Sequence, residues 1–179
     1  LSTSVPQFEV KMAKDMNEAS YLLEYALNQK QFMILRVPDL SEKIQHEVLQ
    51  FEDIWDTLIP FDQNSQGVII GVGPSVKKLQ RKIRINNLNI GLINARSMNQ
   101  VDLQKLKEIH ELGLKVLIYN CEGQFDLLSH AIHKSLVMYR WNIDIHSKNL
   151  DGVNLSLSAK QIKDTYNLNI DDCIHFFNK

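Results

Sequence analysis

The sequence predicts an α/β fold whose mostly parallel sheet carries helices on both faces, preceded by a separate strand-helix-strand unit. Three observations lead there. From Gly67 onward, the strand-like runs GVIIGVG, LNIGLINA, LKVLIY and WNIDIH alternate with helical segments. Most of these runs are continuously apolar, the mark of strands covered on both sides. Between positions 39 and 56, Asp39, Glu42, Glu47, Glu52, Asp53 and Asp56 stand against a single Lys43, a composition suited to a surface connection. The expected division is therefore 1–38, a linker over 39–65, and a sheet domain over 66–179.

Within the first unit, a short strand follows Gln7. Asp15 and Glu18 then form an Asp-x-x-Glu capping box. Ala19, Leu22, Leu23, Ala26 and Leu27 fall on one face of a helix ending near Asn28. QFMILRV reads as a buried strand closed by Pro38. In the second unit, helices are expected over 76–86, 102–112 and 125–139. Ser158 with Gln161, and Asn169 with Asp172, would cap two short closing helices.

Composition removes several function classes. Twenty Lys plus Arg against 21 Asp plus Glu leave a formal net charge of −1, so no global field draws the chain to nucleic acid or anionic lipid. No apolar run approaches the roughly 18 residues of a membrane span. Cys121 and Cys173 form no CxxC pair, which fits a reducing cytoplasm and supplies neither disulfide framework nor zinc site. The opening LSTSVPQFEVKMAKD has no signal pattern and no initiating Met, so a piece of a longer chain is expected.

The chemical motifs are sparse. Gly71-Val72-Gly73 sits between strand and helix, where a phosphate-binding turn would lie, but Val76 takes the third glycine position. A tight turn into a helix started by Pro74 explains it as well. Lys77, Lys78, Arg81, Lys82 and Arg84 surround the stripe of Val76, Leu79 and Ile83, the pattern of a solvated outer face. His130 and His133 stand three apart on a helix, yet no second ligand pair has metal spacing. Cys121 would be a nucleophile only with a base such as His146 beside it. Spacing alone names no enzyme.

Taken end to end, the chain resembles the C-terminal part of the 1-deoxy-D-xylulose-5-phosphate synthases, thiamine-diphosphate-dependent enzymes of the transketolase superfamily. MAKDMNEA is similar to the family's MAPKDENEL, MILRVPDL to AIRYPRG, and GVIIGVGPSVKKL to the opening of the transketolase C-terminal domain. INARSMNQVD resembles VNARFVKPLD, VLIYNCEG resembles VVTVEEG, and SAKQIKDTYNLNIDDCI resembles SPEELLAELGLDAEGI. On this resemblance 1–38 would be the end of a pyrimidine-binding domain.

The resemblance implies a homodimeric parent that joins pyruvate to glyceraldehyde 3-phosphate. Thiamine diphosphate and magnesium would be held by parts outside this chain, leaving it inactive alone, with neither nucleic acid nor membrane as partner. It makes Arg36 the candidate for a substrate phosphate, and Arg96, Asp102, Glu122 and Gly123 the family-matched structural or interface residues. No catalytic, cofactor-binding or metal-binding residue is assigned. Several positions depart from the family. Asp39 replaces its second phosphate-site arginine, Asn99-Gln100 its Lys-Pro, Cys121 a glutamate, and Asn154-Leu155 a His-Gly. These departures leave a non-catalytic paralogue open, as well as a transketolase or the beta subunit of a 2-oxoacid dehydrogenase.

Overall fold

The computed structural model describes residues 8–29, 32–37, 54–120, 127–149, 171, 173 and 176–178. The first unit is β1 (Glu9–Met12), α1 (Met16–Gln29) and β2 (Met33–Arg36), with β1 and β2 parallel and Glu9 opposite Met33. The capping box forms: the Glu18 N–H donates to Asp15 Oδ1 at 2.9 Å, while Glu18 Oε2 accepts from the Lys14 N–H. These bonds satisfy amide groups that a helix start leaves open.

The second unit comprises β3 (Asp56–Ile59), β4 (Gly67–Gly71), α2 (Ser75–Ile85), β5 (Ile90–Asn94), α3 (Leu103–Glu111), β6 (Val116–Asn120), α4 (Leu127–Tyr139) and β7 (Ile145–Asn149). Its strands lie in the order β3-β5-β4-β6-β7, all parallel except β3, which runs antiparallel to β5. The connection from β4 to β5 runs one way along the sheet, and those from β5 to β6 and β6 to β7 run the other. Right-handed crossovers then place α2 on one face and α3 with α4 on the other.

The two cores follow the pleat. Val68, Ile70, Val116 and Ile118 pack with Leu106 and Ile109 of α3 and Leu128 and Ile132 of α4. Ile69, Leu117 and Tyr119 pack with Val76, Leu79 and Ile83 of α2, and with Cys173 and Phe177 near the chain end. Gly67 is needed where Phe177 crosses the strand, because an added Cβ would run into its ring and stand 2.8 Å from the Lys115 carbonyl. Asp102 caps α3 by accepting from the Lys105 N–H at 3.1 Å.

The expected α/β architecture is present, with corrections in detail. The stretch expected to be a linker contributes β3 to the sheet. The last strand lies at 145–149 rather than at WNIDIH, because pairing with β6 sets its register. β2 alternates between half-buried and exposed positions instead of being buried, since β1 is its strand partner and α1 covers one face. For the same reason Ala19 and Leu22 of α1 are buried, while Leu23 and Leu27 are exposed. Asp39, Cys121, Glu122, Gly123, Asn154 and the Ser158 and Asn169 caps lie outside the described residues.

Candidate functional site

The densest polar chemistry lies where α1 meets the chain leaving β5. Asn94 ends β5, and Ala95 continues the ladder by donating to the Gly71 carbonyl at 2.8 Å. Alternation along a strand puts Asn94 and Arg96 on one side. Both reach Glu18: Asn94 Nδ2 and Arg96 Nε each donate to Glu18 Oε1 at 3.0 Å. The same carboxylate takes the Lys14 N–H on its other oxygen and has the Lys14 ammonium at 3.4 Å. The far side of the Arg96 guanidinium forms an ion pair with Asp56 of β3.

Glu18 is 0% exposed and Arg96 1%, so this is a buried ion pair with its hydrogen-bonding capacity largely taken up inside the protein. Trp55, also fully buried, donates its indole N–H to the Ser97 carbonyl at 3.3 Å and roofs the same segment. Around the edge, Asp15 pairs with Lys77 of α2 at 3.3 Å. Burial pushes the Asp15 carboxyl up, but the Glu18 N–H and the Lys14 and Lys77 ammoniums together outweigh it and hold the group below the usual carboxylate range.

A second set of contacts follows along the chain. Asn99 Oδ1 accepts from the Val10 N–H and Asn99 Nδ2 donates to the Phe8 carbonyl, both at 2.9 Å. Gln100 Nε2 donates to Glu9 Oε1 at 3.0 Å. The run 94–100 therefore fastens both β1 and α1 to the sheet. The amide nitrogen of Asn94 and the side chains of Arg96, Asn99 and Gln100 are used in holding the two units together, while the buried Ser97 Oγ and Asn94 Oδ1 have no hydrogen-bond partner among the described residues.

Of the residues singled out in the sequence, Arg96 lies in this junction and Asp102 is a helix cap. Arg36 stands exposed at the end of β2, its carbonyl accepting from the Ala13 N–H at 3.2 Å. The basic face of α2 is not only solvated: Lys77 pairs with Asp15, and Lys82 with Asp171. His133 bonds the carbonyl of its own helix at Ser129, 2.8 Å away, and His146 pairs with Asp144 at 3.2 Å. Among the described residues no group of three or more His, Cys, Asp or Glu can hold a metal ion. The acidic side chains at the junction are already matched to Lys77, Lys14 and Arg96. They do not fit a diphosphate–metal site. No helix among the described residues is long and apolar enough to cross a membrane. Sequence inspection missed Glu18 as a junction residue because its capping role already accounted for it.

No known family model matches the chain. A 1-deoxy-D-xylulose-5-phosphate synthase from Bacillus velezensis is 26% identical over a stretch covering 78% of this chain and 23% of that enzyme. The chain thus spans under a quarter of that relative's length. A split-gene transketolase, solved as an inactive β4 tetramer, superposes with a TM-score of 0.77 at 14% identity, covering 98% of this chain and 58% of that one. The fold is transketolase-type. A transketolase from Pichia stipitis, in complex with sedoheptulose 7-phosphate, gives a TM-score of 0.56 at 13% identity over 98% of this chain and 25% of its own. Since the superpositions extend over nearly the whole chain, the transketolase-type fold takes in the strand-helix-strand unit as well as the sheet domain.

Proposed function

We propose that the chain is the C-terminal region of a thiamine-diphosphate-dependent, ketol-transferring enzyme of deoxyxylulose phosphate synthase type, acting in the cytoplasm. It supplies scaffold and homodimer contacts and is catalytically inactive alone. The supporting observation is that weak sequence similarity to a synthase and a transketolase-type fold coincide over most of the same chain. Division into the end of a pyrimidine-binding domain, a connection and a C-terminal sheet domain accords with the two separately wound sheets. The cofactor and its metal belong to parts of the parent beyond this chain.

Exposed apolar groups support an assembly role. Leu27 is 71% exposed, Phe32 73% and Val137 79%, and β2 pairs only with β1 among the described residues. Parallel strands are normally covered on both faces, so further polypeptide is expected against β2. Arg36, at the exposed end of β2, is proposed to face the substrate phosphate of the parent. Asp39, where the family has an arginine, would oppose it.

A second reading, a non-catalytic paralogue, is favoured by a specific observation. Asn99 and Gln100, which depart from the family, are both consumed in internal contacts. Titration calorimetry with thiamine diphosphate and magnesium tests the location of the cofactor site: no saturable binding to this chain is expected, and micromolar binding would overturn it. Assay of the full-length parent with pyruvate and glyceraldehyde 3-phosphate separates the two readings, since turnover supports the enzyme and its absence the scaffold.

A further inference from the structure

β1 lies alongside the chain that leaves β5 and makes one antiparallel bridge with it. The Met12 N–H donates to the Arg96 carbonyl at 2.9 Å, the Met98 N–H donates to the Val10 carbonyl at 2.8 Å, and Lys11 bridges Ser97. In a regular antiparallel ladder, Val10 and Met98 would exchange both of their bonds, and the next such pair would be Phe8 with Gln100. The Val10 N–H would then meet the Met98 carbonyl, and the Phe8 carbonyl would meet the Gln100 N–H. Instead, both partners come from one side chain: Asn99 Oδ1 takes the Val10 N–H and Asn99 Nδ2 serves the Phe8 carbonyl.

A carboxamide has the acceptor and donor of a peptide group. We propose that Asn99 is a positioning residue whose side chain replaces the missing rung of this ladder and sets the register of β1 on the sheet domain. The register matters because Val10 and Met12 enter the main core while the intervening Lys11 faces α1, with its ammonium 5.0 Å from the centre of the Tyr25 ring. A slip by one residue would turn the apolar pair outward. Register passes from β1 to β2 through the pairing of Met12 with Arg36, so Asn99 also fixes where Arg36 stands. Gln100, bonded to Glu9, restrains the same strand from its side chain. The Lys-Pro of the resembling motif has no side-chain carboxamide at these positions. This inference stands on hydrogen-bond geometry and does not depend on the proposed enzyme.

Amide hydrogen exchange by NMR on the whole chain tests it. In Asn99→Ala the Val10 amide should exchange roughly tenfold faster, the scale of one lost hydrogen bond. The amides of Ile69, Ile70, Leu117 and Ile118 should keep their wild-type rates. Asn99→Asp retains the acceptor for the Val10 N–H and should restore most of the protection, whereas Asn99→Leu, similar in size without either group, should behave as the alanine does. Unchanged Val10 protection in Asn99→Ala would overturn the proposal. So would an equal loss across β4 and β6, which reports general destabilisation. If the alanine variant does not fold, Asn99→Asp decides: a Val10 amide as fast as in a frayed strand would refute the role.

Discussion

Replacing Arg96 with methionine tests whether the junction holds the two units together. Arg96 links Glu18 of α1 to Asp56 of β3, and the guanidinium is almost wholly removed from water. Removing one partner of a buried ion pair typically costs about 3 to 5 kcal/mol, because the other charge is left in a poorly solvating site. Two features place this case at the lower end. Glu18 keeps the Lys14 ammonium at 3.4 Å and the Asn94 amide at 3.0 Å, and the Asp56 side chain, 26% exposed, can recover water. A loss near 3 kcal/mol corresponds to a Tm lower by about 6 to 12 °C in a protein of this size. Thermal and urea unfolding followed by circular dichroism measures it. The double variant Glu18→Leu with Arg96→Met removes both charges, so its loss should fall short of the sum of the two single losses by about 1 to 3 kcal/mol. A single-variant loss below about 1 kcal/mol, or strictly additive losses, would refute the claim that these groups form one coupled, desolvated unit.

Three further outcomes follow from other parts of the structure. Trp55→Ala should destabilise by about 3 to 5 kcal/mol, since the side chain is fully buried and its indole bonds Ser97; the urea midpoint reads this. Gly67→Ala should cost about 1 to 3 kcal/mol by driving a methyl into the Phe177 ring, and pairing it with Phe177→Leu should recover part of the loss in the same unfolding assay. Asp15 has a folded pKa below its unfolded value of 3.8, so its stabilisation is fully present above that pH and is lost as the pH falls through the folded value. Urea midpoints at several acidic pH values should therefore decline less steeply in Asp15→Asn than in the wild type.

The legibility of the fold varied with how local its determinants are. The runs around Ile69, Leu92 and Leu117 are continuously apolar, and only strands covered on both faces satisfy that pattern, so β4, β5 and β6 were readable from composition alone. β7 was not, because WNIDIH and the IHSKN that overlaps its end are both short and mixed, and the choice is made by pairing with β6. β3 was hidden by its acidic surroundings: Asp56 looks like linker charge until Arg96 is placed against it. Leu23 and Leu27 illustrate the converse, since their helical spacing marks a face to be covered while only Ala19 and Leu22 find cover among the described residues.

The junction was the least legible part, for a reason that also bears on its role. Glu18 and Arg96 lie 78 positions apart, and each had a sufficient local explanation, as capping residue and as part of a resembling motif. A charged side chain just after a continuously apolar strand was the available signal, because a residue there is carried into the interior and requires a partner. The same seven positions, 94–100, contain the stretch resembling the family, Asn94 to Arg96, and a departure from it, Asn99-Gln100. In the structure both halves face the first unit, one through α1 and the other through β1. The hydrogen bonds of Asn99 and Gln100 thus fall on the same side as those of Asn94 and Arg96, and all four residues serve one joint.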